Sequence, residues 1–233
     1  MSFLRDLFRA ALLDPVPRDH TEPDSRFHRR RVVVAGTLVL GAVLLGVSLS
    51  IRAGDPLFYP MTIAVAATWI GGGLLSGPLH LGRITFRDSL RRPVVTPVLT
   101  GVLAGVVFLA GALILQHIPP LRATANEVLD HARYGSLALI TVITLLNGAA
   151  EEVFFRGALY AAIGRAHPVL ISTGVYALAT IVTANPLLVL AALVLGVVLG
   201  LQRRASGGIL APILTHVTWS TIMLFALPPL LGP

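Results

Sequence analysis

The amino-acid sequence predicts an all-α fold: a polytopic membrane helical bundle of about seven transmembrane helices, with the N-terminus inside and the C-terminus outside. Three observations carry this reading: the composition, a series of apolar stretches of membrane-crossing length, and the way the arginines distribute between them. The chain is 55% hydrophobic and only 12% charged, with a mean hydropathy of +0.82. A soluble domain of that composition would have too little polar surface to cover its own core. At about 20 residues per crossing, roughly six to eight spans use up most of the 233 residues, which leaves a single membrane domain.

Residues 1–30 read as a cytoplasmic amphipathic helix and a flexible linker, and 31–233 as the transmembrane domain. Phe3, Leu4, Leu7, Phe8, Ala11 and Leu12 recur at helical spacing, with Arg5, Asp6 and Arg9 on the other side, the pattern of a helix lying in the membrane interface. Residues 14–30, DPVPRDHTEPDSRFHRR, are proline-rich and charged and lack periodicity. Apolar spans follow at about 32–51, 58–79, 94–115, 136–155, 168–184, 186–202 and 208–231. The first is preceded by Arg29, Arg30 and Arg31 and has no small-residue cleavage site behind it, so it reads as a retained signal anchor. The fifth and sixth are short and meet at Asn185-Pro186, a turn signal, as a tight hairpin or a partly re-entrant pair. Small residues repeat at Gly73-x-x-x-Gly77, Gly101-x-x-x-Gly105 and Gly196-x-x-x-Gly200, where helix backbones can approach closely.

All 18 basic residues are arginine, a usage that points to a GC-rich, bacterial genome. With the N-terminus inside, 15 of them fall in inner segments, and only Arg52, Arg122 and Arg133 fall outside, which satisfies the positive-inside rule. The pI near 11.2 therefore reflects topology and contact with lipid headgroups, and no nucleic-acid partner is expected. The chain has no cysteine, which excludes disulfides, thiolate metal sites and cysteine nucleophiles.

Of the 11 acidic residues only Glu151 and Glu152 fall inside a span. An acid at the centre of a lipid-facing helix costs roughly 2.5–3.5 kcal/mol, so both are expected to face the bundle interior. Glu152 and Arg156 are four residues apart in the favourable order and can pair along one helix face. Glu151 points about 100° away, stacks with Asn147, and is left without a cation. His216 is the one histidine well inside a span. Counted along the helices, Glu151 lies about 8 Å and His216 about 12 Å from the same inner edge of a ~30 Å core, so the two can share one polar site, with Ser220 one turn beyond His216. A Glu-Arg clamp with a histidine satisfied between helices is the purely structural alternative.

EEVFFRG followed by LGVVLGLQRRASGGILAPILTHVTWS resembles the CPBP family of intramembrane proteases, which includes the type II CAAX prenyl proteases and the bacteriocin-processing and immunity proteins; the likeness covers about residues 136–222. The resemblance implies a helical membrane fold with a cytosol-accessible polar cavity. In that cavity Glu151 activates water, Glu152 and Arg156 hold the geometry, and His216 hydrogen-bonds the water or the developing oxyanion. The family's second histidine, four residues after a phenylalanine on the next span, is replaced: here Tyr176 and Thr180 occupy those positions. His167 lies about 20 Å along the helix from Thr180 and is a poor substitute. The closing asparagine is replaced by Ser220. A Ser220-His216 serine protease would place both groups on one helix with no third residue. A divalent metal such as zinc would have only Glu151, Glu152 and His216 as protein ligands. The expectation is an endopeptidase of the inner (cytoplasmic) membrane that hydrolyses a membrane-associated peptide or protein. The alternatives are a catalytically inactive binding or immunity protein, and a transporter or proton relay using the same carboxylate.

Overall fold

The computed structural model describes residues 2–18, 21–86 and 89–232; the linker residues Asp19 and His20, the hairpin residues Arg87 and Asp88, and the side chains of Phe3 and Leu4 lie outside the described set. In chain order the elements are α1 (Ser2–Leu12), α2 (Asp24–Ser50), α3 (Phe58–Ser76), a hairpin of β1 (Ile84–Phe86) and β2 (Ser89–Arg91), α4 (Val95–Leu115), α5 (Pro119–Tyr134), α6 (Leu137–Ile163), α7 (Pro168–Ile181), α8 (Pro186–Ser206) and α9 (Leu210–Leu231). Six of these, α2, α3, α4, α6, α8 and α9, are long and apolar enough to cross a membrane. α7 has 14 residues and reaches about 21 Å, short of a ~30 Å hydrocarbon core. It starts at Pro168 after His167, whose φ of 47° lies in the left-handed region. At the other end Asn185 caps α8, its Oδ1 accepting from the N–H groups of Leu187 and Leu188 at 3.1 and 3.2 Å, with Pro186 in the first turn.

Three segments differ from the sequence reading. Residues 24–30 belong to α2 rather than to an irregular linker, because the arginines at its start find partners: Arg30 is 1% exposed, ion-paired to Glu22 and hydrogen-bonded to Ser76 and the Pro78 carbonyl. Residues 119–134, between the third and fourth spans, form α5, an amphipathic helix that begins on Pro119-Pro120 and buries Ala125 and Leu129. Ile84–Phe86 and Ser89–Arg91 pair as two short antiparallel strands with Ile84 opposite Arg91.

The small-residue motifs act where backbones meet. A Cβ on Gly101 would lie 2.7 Å from the Thr215 carbonyl oxygen, and one on Gly105 2.9 Å from Ile222, so these two glycines set the approach of α4 to α9. Gly196 and Gly200 do the same for α8 against Thr173 and Val169 of α7. Gly77 has another role, ending α3 at a φ of 141° beside Arg30. Gly101→Ala should therefore destabilise the protein by about 1–3 kcal/mol, read as a lower unfolding temperature in detergent, because the obstructing atom is backbone and cannot rotate away.

The arginines gather at one end of the bundle. There Val16 N–H bonds the Ala205 carbonyl at 3.0 Å, Arg31 Nε the Ala162 carbonyl at 3.0 Å, and Arg83 N–H the Ser206 carbonyl at 2.8 Å, so α1, the hairpin and the ends of α6 and α8 form one surface. α5 closes the opposite end, where His131 Nε2 meets the Ile51 carbonyl at 3.0 Å. Between the ends, large apolar side chains such as Val39, Leu103 and Leu178 stay outward and exposed, as a lipid-facing surface requires. The chain is a multi-pass membrane protein in a lipid bilayer.

Candidate active site

Glu151 and Glu152 close the α-helical part of α6, and Val153 to Leu159 continue it as a wider π-helical stretch before Tyr160 resumes the α-helix. π turns are rare and concentrate at functional sites, since the extra residue per turn re-aims side chains. Here the stretch buries Phe154, Phe155 and Arg156 together. Both phenylalanine rings pack on Trp69, with centroids 4.7 and 5.1 Å away.

The two glutamates have different partners. Glu152 is fully buried, and its Oε1 accepts from Arg156 Nη1 at 3.0 Å and faces His216 Nδ1 at 2.8 Å. The depth match thus brings His216 to the acidic pair, and the carboxylate that holds it is Glu152. Glu151 instead accepts a 2.5 Å hydrogen bond from the Tyr176 hydroxyl. The Arg156 guanidinium lies 4.6 Å from the centre of the Tyr176 ring, so one cation braces both arms of the site. Gly148 faces α9 here: a Cβ there would sit 3.4 Å from Ser220 Oγ and 3.5 Å from His216 Cδ2, in ordinary contact with both.

Ser220 and Thr180 are placed beside the site without contacting the carboxylates. Ser220 Oγ donates to the His216 carbonyl at 2.5 Å, and Thr180 Oγ1 to the Tyr176 carbonyl at 2.9 Å, each bonding back along its own helix. With Ser220 directed at backbone, no serine-histidine couple forms. Asn147, one turn before Glu151, donates to the carbonyls of Ile143 and Thr62. His167 is exposed at the arginine-rich end and does not join the site.

Glu151, Tyr176, Thr180, His216, Ser220 and Asn147 line one end of a cavity of about 640 Å³ whose remaining wall is mostly apolar. That cavity runs away from the arginines, toward Ser48, Phe58, Asn185 and Leu231 and the inner face of α5. On the arginine-rich side of the site Phe154, Phe155, Arg156 and Leu199 are each 1% exposed or less.

Three residues outside the expected set matter. Tyr176 holds Glu151, and its signal was a tyrosine at the phenylalanine position of the resemblance. Gly148 faces Ser220 and His216 of α9, and no periodicity marks it. Arg203, read as a topological charge, is 6% exposed and donates through Nε to the Arg156 carbonyl at 2.7 Å, tying α8 to the π-helical stretch.

The donor set does not suit a protein-held zinc. Glu152 Oε1 is shared between Arg156 and His216, Glu151 is bound by Tyr176, and among the described residues no three His, Cys, Asp or Glu side chains are grouped to hold a metal.

Residues 133–222 match a family model described as Type II CAAX prenyl endopeptidase Rce1-like. No curated protein and no solved structure matches the chain. The matched segment begins at the end of α5 and carries Glu151, Glu152, Arg156, Tyr176, Thr180, His216 and Ser220, and over it the chain is similar to the Rce1-like type II CAAX prenyl endopeptidases.

Proposed function

We propose that this protein is an intramembrane endopeptidase of the inner (cytoplasmic) membrane that hydrolyses a membrane-associated peptide or protein by glutamate-activated water. One observation supports this most: a carboxylate without a cationic partner of its own, Glu151, and an imidazole oriented by a second carboxylate line the same end of an apolar cavity. In this mechanism Glu151 takes a proton from water, and the resulting hydroxide attacks the peptide carbonyl carbon. Tyr176 fixes the carboxylate through its hydroxyl. With His216 doubly protonated, its Nδ1–H donates to Glu152 and its Nε2–H is left to donate to the oxyanion, a role worth roughly 10²–10³ in rate for comparable donors. When the C–N bond breaks, the proton held by Glu151 passes to the leaving nitrogen, giving a carboxylic acid and an amine and returning Glu151 to its carboxylate form. A mostly apolar cavity suits a lipid-embedded or lipid-modified segment better than a soluble one.

The test compares the N-termini of membrane proteins in cells carrying wild type or Glu151→Gln. Termini present only with wild type support proteolysis, and identical profiles overturn it. A second reading, an inactive member that captures a membrane peptide, is favoured by Thr180, whose hydroxyl bonds backbone where the family places a histidine. Thr180→His separates the two: in a purified, folded variant it should raise hydrolysis several-fold by adding a second base at the cavity wall, and no gain would count against the vacated-histidine account.

A further inference from the structure

A second, smaller cavity of about 410 Å³ lies at the arginine-rich end, outside the proposed active site. Its wall joins three segments far apart in sequence: the stretch after α1, the connection from α3 through the hairpin, and the turn between α8 and α9. Arg18, Arg83, Arg92 and His80 line it, and no described aspartate or glutamate does. The nearest carboxylate influence is Glu22, which is committed to an ion pair with Arg30. Burial, then the charges of Arg203 and Arg30, hold the His80 imidazole below its ordinary value, a sign of net positive potential here.

The cavity is built into the fold. Gly82 and Gly208 pack backbone to backbone, a Cβ on Gly82 falling 2.7 Å from the Gly208 nitrogen, and both Gly82 and Gly207 have positive φ. These contacts fix its floor. Two guanidinium groups are each anchored by one N–H, Arg18 on the Arg204 carbonyl at 2.6 Å and Arg92 on the Gly82 carbonyl at 2.7 Å. Each guanidinium carries five N–H donors, so most remain for another acceptor. The position is that of the membrane interface, next to the ends of α3 and α8 at Ser76 and Ser206 and the starts of α4 and α9 at Val95 and Leu210. Leu79 and Leu90 add an apolar edge.

We infer that this cavity binds the phosphate of an anionic phospholipid headgroup, with Arg83 and Arg92 as its principal donors and Arg18 and His80 completing the cradle. Arginine forks suit phosphate oxygens, and the apolar edge suits the first carbons of the lipid chains. The site acts independently of proteolysis, so its test uses stability alone. The purified full-length protein is unfolded thermally in nanodiscs of phosphatidylcholine and of phosphatidylcholine with phosphatidylglycerol, and separately in detergent with inorganic phosphate. Phosphatidylglycerol should raise the unfolding temperature of wild type. R83Q and R83Q/R92Q should weaken the lipid dependence by roughly tenfold per arginine. R83Q keeps the test valid if the double variant folds poorly, since among the described residues the Arg83 side chain makes no hydrogen bond. R5Q/R29Q, which removes two exposed arginines outside the cavity, should retain the full rise. An undiminished rise in R83Q, or an equal loss in R5Q/R29Q, overturns the site in favour of general surface charge. A rise produced by inorganic phosphate and lost in R83Q assigns the same cradle to free phosphate and overturns the headgroup as its source.

Discussion

Glu151→Gln in the purified protein should slow peptide hydrolysis by roughly 10²–10⁴-fold, the range for loss of a positioned general base, while leaving the unfolding temperature nearly unchanged. The substitution is isosteric, and the amide oxygen can still accept the Tyr176 hydroxyl that now bonds Glu151 Oε2 at 2.5 Å. No ion pair is broken, because the Arg156 and His216 contacts both belong to Glu152. What disappears is the carboxylate that, alone among the described residues, lines the cavity and can take a proton from water there. Glu152→Gln sharpens the comparison, since it weakens the buried pair and should lower stability as well as rate. The measurements are kcat and KM on a membrane peptide, beside thermal unfolding of each variant. A fall confined to kcat marks a transition-state role. A Glu151→Gln enzyme within a few-fold of wild type would remove Glu151 as the base.

Much of this arrangement is legible in the sequence, for physical reasons that also mark where legibility stops. Spans are readable because each crossing must be apolar along its length; the seven sequence segments correspond to α2, α3, α4 and α6–α9, with ends displaced by several residues. α5 escapes because an interfacial helix needs only one apolar face, and Arg122, Asn126, Glu127, Asp130 and Arg133 dilute its average. The Glu152-Arg156 pair follows from i, i+4 spacing, and the meeting of α6 with α9 follows from matched depth. The choice between Glu151 and Glu152 as the partner of His216 does not follow, because depth contains no azimuth. That choice depends on how α9 is rotated against α6 and on the π-helical stretch beyond Glu152, neither of which has a periodic signature. The direction of the cavity is likewise set by bulky residues packing together, Trp69 against Phe154 and Phe155, contacts made across α3 and α6.

Arg156→Met should destabilise the fold by about 3–5 kcal/mol, the cost of breaking a buried ion pair from one side. Both members are fully buried, and among the described residues Glu152 Oε2 has no hydrogen-bond partner, so removing the guanidinium leaves His216 as the only described group bonded to the carboxylate. Methionine fills much of the space, which makes charge the main loss. The double variant Arg156→Met/Glu152→Gln tests that assignment, because removing both charges leaves no unpaired ion in the core. It should recover most of the stability, giving a coupling of about 0.5–3 kcal/mol in a double-mutant cycle. Activity should not recover with it: a neutral amide holds the His216 imidazole more weakly than a carboxylate, and Tyr176 loses the cation stacked on its ring. Stability regained without activity would identify the pair as the support of a catalytic imidazole. A double variant as unstable as Arg156→Met alone would show that Arg156 contributes through packing on Tyr176, and that the charge pairing is secondary.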